Sequence, residues 1–445
     1  MAFNRSVLSR QISLVFIGAT LVTTAHAADK ELLDILLGNG AITKAQYDNL
    51  LAKEELKARD VEPVIIQLDK GGPRFTTADK QYSFRLGGRL HTDATMHSGD
   101  PVAGKEATDG TEIRRARLSV QGTLGNDFDY AAEADFADNQ VQVKDFVLEY
   151  GGFDNLKLSV GHQKQPYSLG LEMSSNDMPF VERGIDESIT TALTDRAIGA
   201  RVDAVGDHWF MAAGLYGDSM APNKTDDEGW GVAGRFIYSP IISDHQVLHL
   251  GVRGAYRAPS HDEDSIRFRD ETTHMSNLAI VDTGTVAGVD GTTMFGGEVA
   301  YTYGPFTITG EYNNASVNRE TGENLNFNTW NVQATWSLTG ESRAAIYNLG
   351  SGEYKRLKAK QNFSLRNGGM GAWEVAARYA YVDFNDGVFT GGKEGALTAA
   401  INWYVNDNVR FMLDYTNILS TDGSNAVRLD GEGLDILQLR AQYTF

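Results

Sequence analysis

Arg115 and Arg117, Arg253 and Arg257, and the more widely spaced Arg85, Arg89, Arg201, Arg235, Arg378, Arg410 and Arg440 stand mostly between apolar, aromatic or small neighbours. An extended chain turns them all to the face opposite those neighbours. Guanidinium stays charged when partly desolvated, and its planar fork matches carboxylate or phosphate oxygens. A column of such groups offers an anion repeated weak sites, as conduction requires. Arg114 sits at the start of its stretch and can face either way. Lys164, Arg183 and Arg196 lie in or beside residues 163–195, which have no strand period, carry Pro166 and Pro179, and are too long for an ordinary turn. The candidate anion-binding set is therefore Arg114, Arg115, Arg117, Lys164, Arg183, Arg196, Arg201, Arg253, Arg378 and Arg410. The same alternation turns Asp93, Asp129, Glu133, Asp135, Asp145, Glu149, Asp203, Glu298, Glu311, Glu374 and Asp414 to the basic face. Many of these acids can brace the wall by pairing across strands, so the sign at the narrowest ring matters more than the mean.

Other chemistries find little support. His245 and His249 share a strand face but stand about 13 Å apart at the usual rise, too far for one metal. His261-Asp-Glu-Asp264 is a calcium candidate or a solvated acidic loop tip. There is no phosphate-binding glycine loop with its lysine, no H-E-x-x-H pair, and no spacing that suggests a serine nucleophile and its base. The chain has no cysteine, which excludes disulfides and thiolate sites. No cofactor is implied and no enzyme is expected; a barrel-borne lipase or protease is the enzymatic alternative. A net charge of −19 argues against nucleic acid as a partner.

The elements that must position the arginines read from the N-terminus. Arg5 and Arg10, the apolar run 12–22 and Ala25-His26-Ala27 form a secretory signal peptide over residues 1–27, cut after Ala27. Residues 28–80 form a short helical hairpin and linker on the periplasmic side. Gly38-Asn39-Gly40 breaks it, and a Thr43-x-x-Gln46 capping box opens its second helix. That segment packs on itself, on other subunits or on the cell wall, or acts as a spacer. From residue 81 the period becomes 2: Trp330, Val332, Ala334, Trp336 and Leu338 oppose Asn331, Gln333, Thr335 and Ser337. Sixteen such stretches run from 81 to 445, joined by very short turns such as Gly125-Asn126 and Gly304, and by long loops at 96–111, 163–195, 258–292 and 339–371. Short turns at one end and long loops at the other predict an all-β fold: a transmembrane antiparallel β-barrel of sixteen strands over 81–445. The alternative is a soluble sandwich or β-helix. The last stretch puts Leu437, Leu439, Ala441, Tyr443 and Phe445 on one face, and Phe445 ends the chain.

The segments RRARLSVQGTLGNDFDYAAEADFA (114–137), VKDFVLEY (143–150), LKLSVGHQKQPYSLGLEMSS (156–175), FVERG (180–184) and GAWEVAARYAYVDF (371–384) resemble the phosphate-selective porin O and P family, in the right order. The resemblance implies a sixteen-stranded trimeric barrel with 163–195 folded inward to narrow the lumen. The alternation, the signal peptide and the aromatic last strand together point to the outer membrane of a Gram-negative cell, with the barrel facing lipid and recognised by barrel-assembly machinery through Phe445. The resemblance also implies passive diffusion of small anions such as phosphate, with Arg114, Arg115 and Arg183 at the constriction. Phosphate-selective members carry lysines where this chain has Met173 and Asp129, which points toward a general or organic-acid porin as the alternative. A structural, wall-tethering barrel is the third reading.

Overall fold

A computed structural model describes residues 32–59, 64–69, 72–99, 107–217, 220, 227–260, 264–270, 273–276, 278–422 and 433–445. The proposed signal peptide and His261 to Glu263 of the calcium candidate lie outside the described residues. The chain divides into two units. In the first, residues 32–38 and Lys44–Arg59 are helical. Thr43 and Gln46 form the reciprocal cap: the Thr43 amide donates to Gln46 Oε1 (2.9 Å) and the Gln46 amide to Thr43 Oγ1 (3.3 Å). Tyr47 Oη donates to Asp34 (2.5 Å), tying the two helical stretches together.

The second unit is a closed antiparallel barrel of sixteen strands, in agreement with the alternation. They are β1 Ser83–Ser98, β2 Gly110–Leu124, β3 Phe128–Asp135, β4 Gln142–Tyr150, β5 Leu156–Lys164, β6 Arg196–Val205, β7 Trp209–Tyr216, β8 Trp230–Ile242, β9 Gln246–Ala258, β10 Val289–Tyr303, β11 Phe306–Arg319, β12 Leu325–Ser337, β13 Ala372–Asp386, β14 Phe389–Tyr404, β15 Val409–Asp422 and β16 Asp435–Thr444. Each pairs with its sequence neighbour, and β16 closes on β1 through Asp435↔Ser98 to Thr444↔Arg89. Closure leaves no unpaired edge for hydrocarbon to meet. The tightest turns need glycine. Gly304-Pro305 joins β10 to β11 and Gly387-Val388 joins β13 to β14, each with glycine at positive φ (56° and 57°), as a two-residue hairpin turn demands.

Outward side chains are apolar, and at one end they form an aromatic belt. Trp373 stacks on Trp403 (5.4 Å) and Trp403 on Phe411 (5.8 Å); Phe128, Tyr150 and Phe153 form a second group. Such belts sit where membrane meets water.

Strand parity overturns one expectation. The segment 338–371 follows an even-numbered strand, so it leaves the barrel at the end of the short turns, not with the other long loops. At the opposite end, segment 165–195 and the described residues of 259–288 fold inward. Inward apolar side chains of β10–β16, among them Phe327, Val382, Phe384 and Ile418, meet Tyr167, Ile185 and Ile189 of one segment and Phe268, Ile280 and Val281 of the other. Phe268 lies 5.5 Å from Phe327 and 5.9 Å from Phe384. The inner face is therefore not uniformly wet: over this arc it is a close-packed core.

Candidate functional site

The segment 165–195 is held inside the barrel at both ends of its short helix Leu169–Glu172. Ser168 caps the helix through the Leu171 amide (2.9 Å). The Leu169 amide donates to Glu298 and Glu311 (3.1 Å each), and that of Gly170 to Glu311 (3.0 Å). These carboxylates satisfy orphan helical N–H groups from the opposite wall. At the other end Lys164 Nζ donates to the carbonyls of Leu171 and Glu172 (2.8 Å each). Arg183 donates to those of Gly170 and Met173 (2.9 Å each). Two of the ten candidate bases thus clamp the backbone of this helix and the residue after it.

The tip carries Glu182, and three guanidinium groups converge on it. Arg114 Nε is 2.9 Å, Arg115 Nη1 3.2 Å and Arg440 Nη2 2.7 Å from its Oε1. Consecutive residues cannot share a face of a regular strand. Here the β1–β2 register slips between His91↔Arg115 and Thr92↔Ile113, so Arg114 is the extra residue of a bulge and points to the same side as Arg115. Sequence alternation left its direction open. Burial alone would raise the Glu182 pKa, but Arg115, Arg114 and Arg440 hold it well below the usual carboxylate range. Arg440 also grips Asp93 (2.8 and 2.6 Å). Arg378 lies over the Phe180 ring (4.3 Å) and donates to the Glu182 carbonyl (3.1 Å). Arg410 donates to the Met178 carbonyl (2.8 Å) and to Gln442 (3.0 Å).

The other candidates divide by environment. Arg253 is sealed in a dry cluster with Glu298, Glu311 (2.9 Å) and Asn313. Glu298 also accepts from Arg235 (2.6 Å) and bonds His249 (2.9 Å), so His249 belongs to this cluster and is separated in role from His245. Arg117, Arg196 and Arg201 line the opposite wall. Arg117 binds Glu133 (2.9 Å) and Asp135 (2.7 Å), Arg196 binds Asp145 (2.9 Å), and Arg201 binds Glu172 (3.2 Å) and Asp203 (2.8 Å). The Arg235–Glu298 side chains are 0% exposed, whereas Asp145 keeps 30% and Lys157, paired with Glu149, keeps 56%. Water reaches the wall of β2–β6 and not the buried cluster at β8–β11.

Two cavities lie along that wetter wall. One of about 420 Å³, on the side of segments 165–195 and 259–288, is lined by Arg114, Arg115, Arg183, Arg267 and Arg269 against Glu182, Glu187 and Asp270. The other, about 360 Å³, lies toward the turns and is lined by Arg74, Arg85, Asp129 and Glu149. Sequence reasoning missed Arg267 and Arg269, because nothing local marks 259–288 as inward-folding. It also missed Lys144, which a second bulge turns inward: Glu133 pairs with Asp145 and Ala134 with Val143, leaving Lys144 extra. Its only local signal is a basic residue beside Asp145 where alternation predicts an outward side chain. Among the described residues no three His, Asp or Glu groups converge to hold a metal.

Comparison with known proteins places this geometry. The family described as phosphate-selective porin O and P matches residues 84–445. The chain is 27% identical over 423 residues to Porin O of Pseudomonas aeruginosa, covering 86% of this chain and 92% of that one. It is 29% identical over 376 residues to an uncharacterized protein of Caulobacter vibrioides, covering 81% and 72%. Among solved structures, a loop-deletion mutant of OmpT, an outer membrane protein of Vibrio cholerae, superposes with a TM-score of 0.55 at 12% identity, over 82% of this chain and 100% of that one. An anion-selective porin from Comamonas acidovorans gives 0.50 at 14%, over 82% and 100%. At such identities the structural likeness concerns the fold.

Proposed function

The chain belongs to the phosphate-selective porin O and P family and is an outer-membrane porin, and from that premise we propose that it passes small anions by passive diffusion along the β2–β6 wall. The observation that carries this reading is the tip of segment 165–195, where Arg114, Arg115, Arg440 and the adjacent Arg183 outnumber Glu182 and Asp93. The arginine-rich cavity beside it would gather anions from the outside, because fixed charge raises local counter-ion concentration. Phosphate is one passenger among several. Met173 is buried among Leu169, Met178, Ala300 and Tyr354, and Asp129 adds negative charge at the cavity toward the turns, where a phosphate site would want lysine.

Replacing Arg114 and Arg115 together with alanine leaves Glu182 with Arg440 alone. The reversal potential in a potassium chloride gradient then moves toward potassium. An unchanged potential in the double variant would remove these arginines from the filter.

The same reading includes a homotrimer. Strands β3–β7 have only 8 to 10 residues, while β8–β15 have 13 to 16. This shorter wall, with Phe146, Val160 and Ile198 exposed outward, is the seam we assign between subunits. Phe445 pairs its backbone with Gly88 (3.0 Å in both directions) and stacks on Tyr443, a position from which assembly machinery would read it before closure. Residues 1–27 would be removed on export, and 28–80 would remain as the periplasmic segment.

A further inference from the structure

Between the two cavities the wetter wall is a ladder of ion pairs. Arg89 and Arg117 share Glu133; Arg117 also binds Asp135; Arg196 binds Asp145 and lies 3.6 Å from Asp195. Arg201 binds Glu172 and Asp203, and Lys164, paired across the strands with Arg196, donates only to carbonyls. These are five bases against six carboxylates, so the stretch without further charge would be acidic and would repel an anion. Lys144 stands in the same stretch. The β3–β4 bulge turns it inward beside Asp145, and its Nζ donates to the neutral Gln142 Oε1 (2.9 Å). Among the described residues no carboxylate lies within ion-pairing distance of it. The nearby acids are already engaged: Asp135 accepts from Arg117 and from the Ala116 and Ala137 amides, and both Asp145 oxygens accept from Arg196.

We propose that Lys144 is a specificity-determining residue of the pore, the one added charge that brings this stretch of wall to neutrality and lets anions through. The inference rests on the anion reading above and deepens it. The constriction arginines attract the anion, and Lys144 prevents the wall beyond from rejecting it. A flexible ammonium also suits this task, because it is a point charge with rotatable donors and can follow a passing ion where a pinned guanidinium cannot.

The absence of cysteine makes the test clean, since Lys144→Cys gives the full-length protein a single thiol. In planar bilayers Lys144→Cys should lower the chloride-to-potassium permeability ratio by about five-fold, the factor one unit charge about 4 Å from the ion carries in water. Trimethylammonioethyl methanethiosulfonate should then restore the ratio, and sulfonatoethyl methanethiosulfonate should depress it further. Lys144→Arg should keep the original value, and Lys144→Gln should show the same loss should the thiol variant assemble poorly. A ratio that does not follow the sign of the attached group, or a thiol that neither reagent reaches in the conducting channel, overturns the proposal. A wild-type channel that prefers potassium would instead defeat the anion reading. The two failures are separate, because the sign-dependent shift is measured relative to whatever the wild type shows.

Discussion

The two sides of the barrel interior solve opposite problems with the same residue types. At β8–β16 arginines and carboxylates are sealed: Arg235, Arg253 and Glu298 have no exposed side-chain surface, and Arg343–Glu374 and Arg440–Asp93 are nearly as dry. These groups tie inward-folded segments to the wall. Along β2–β6 the same chemistry keeps some access to water, with 11% exposure at Arg117, 30% at Asp145 and 56% at Lys157, and its pairs stand beside cavities. An arginine facing the lumen is therefore not automatically a pore residue. Its role follows from whether a loop or water sits opposite it.

Breaking a dry pair should cost most. Glu298→Ala leaves Arg235 buried without a carboxylate, leaves Arg253 with Glu311 as its one carboxylate, and removes an acceptor from the Leu169 amide. Removing one partner of a buried pair costs about 3–5 kcal/mol, to be read as an earlier heat-induced loss of the folded barrel. Next comes Phe268→Ala, which opens the aromatic contact with Phe327 and Phe384. A cavity of that kind costs about 3 kcal/mol. Single-channel conductance should also rise as segment 259–288 loosens.

A smaller effect comes from pH. Burial pushes the Asp186 carboxyl up to about 6 against the pull of Arg378, and burial with Asp186 alongside raises Glu187 too. Asp186 is thus neutral below pH 6 and charged above it. Lowering the pH from 7 to 5 removes negative charge from segment 165–195, so the chloride-to-potassium ratio should rise, and Asp186→Asn should reduce that change. A carboxyl raised in the folded state favours folding while protonated, so its contribution to stability is lost as pH climbs from about 4 through 6. The smallest effect belongs to the wet wall: Lys157→Ala, at the exposed pair with Glu149, should change stability by less than about 1 kcal/mol while shifting selectivity measurably. A large stability loss there would erase the distinction between the two sides.

The strands were legible because hydrocarbon on the outside enforces a strict period of 2, visible from Trp330 to Leu338 without any tertiary information. The inward placement of Arg117, Arg201 and Arg253 followed from the same rule. Arg114 and Lys144 escaped it because one inserted residue reverses the facing locally and leaves the flanking period intact. Lys164 and Arg183 carry their charge at the segment while donating to backbone carbonyls, an engagement that depends on how 165–195 folds and that spacing alone does not show. The apolar inner arc at Phe327, Val382 and Phe384 was equally hidden, since its partners lie in segments with no period at all.

The central claim is that ions pass along one side of the lumen while the other side is packed solid. Thiol reactivity during conduction tests it directly, comparing Lys157→Cys on β5 with Thr398→Cys on β14, whose native side chains are 56% and 3% exposed respectively. A charged methanethiosulfonate should alter the current promptly in the first variant and leave the second unchanged. Equal reactivity at both positions would contradict the account.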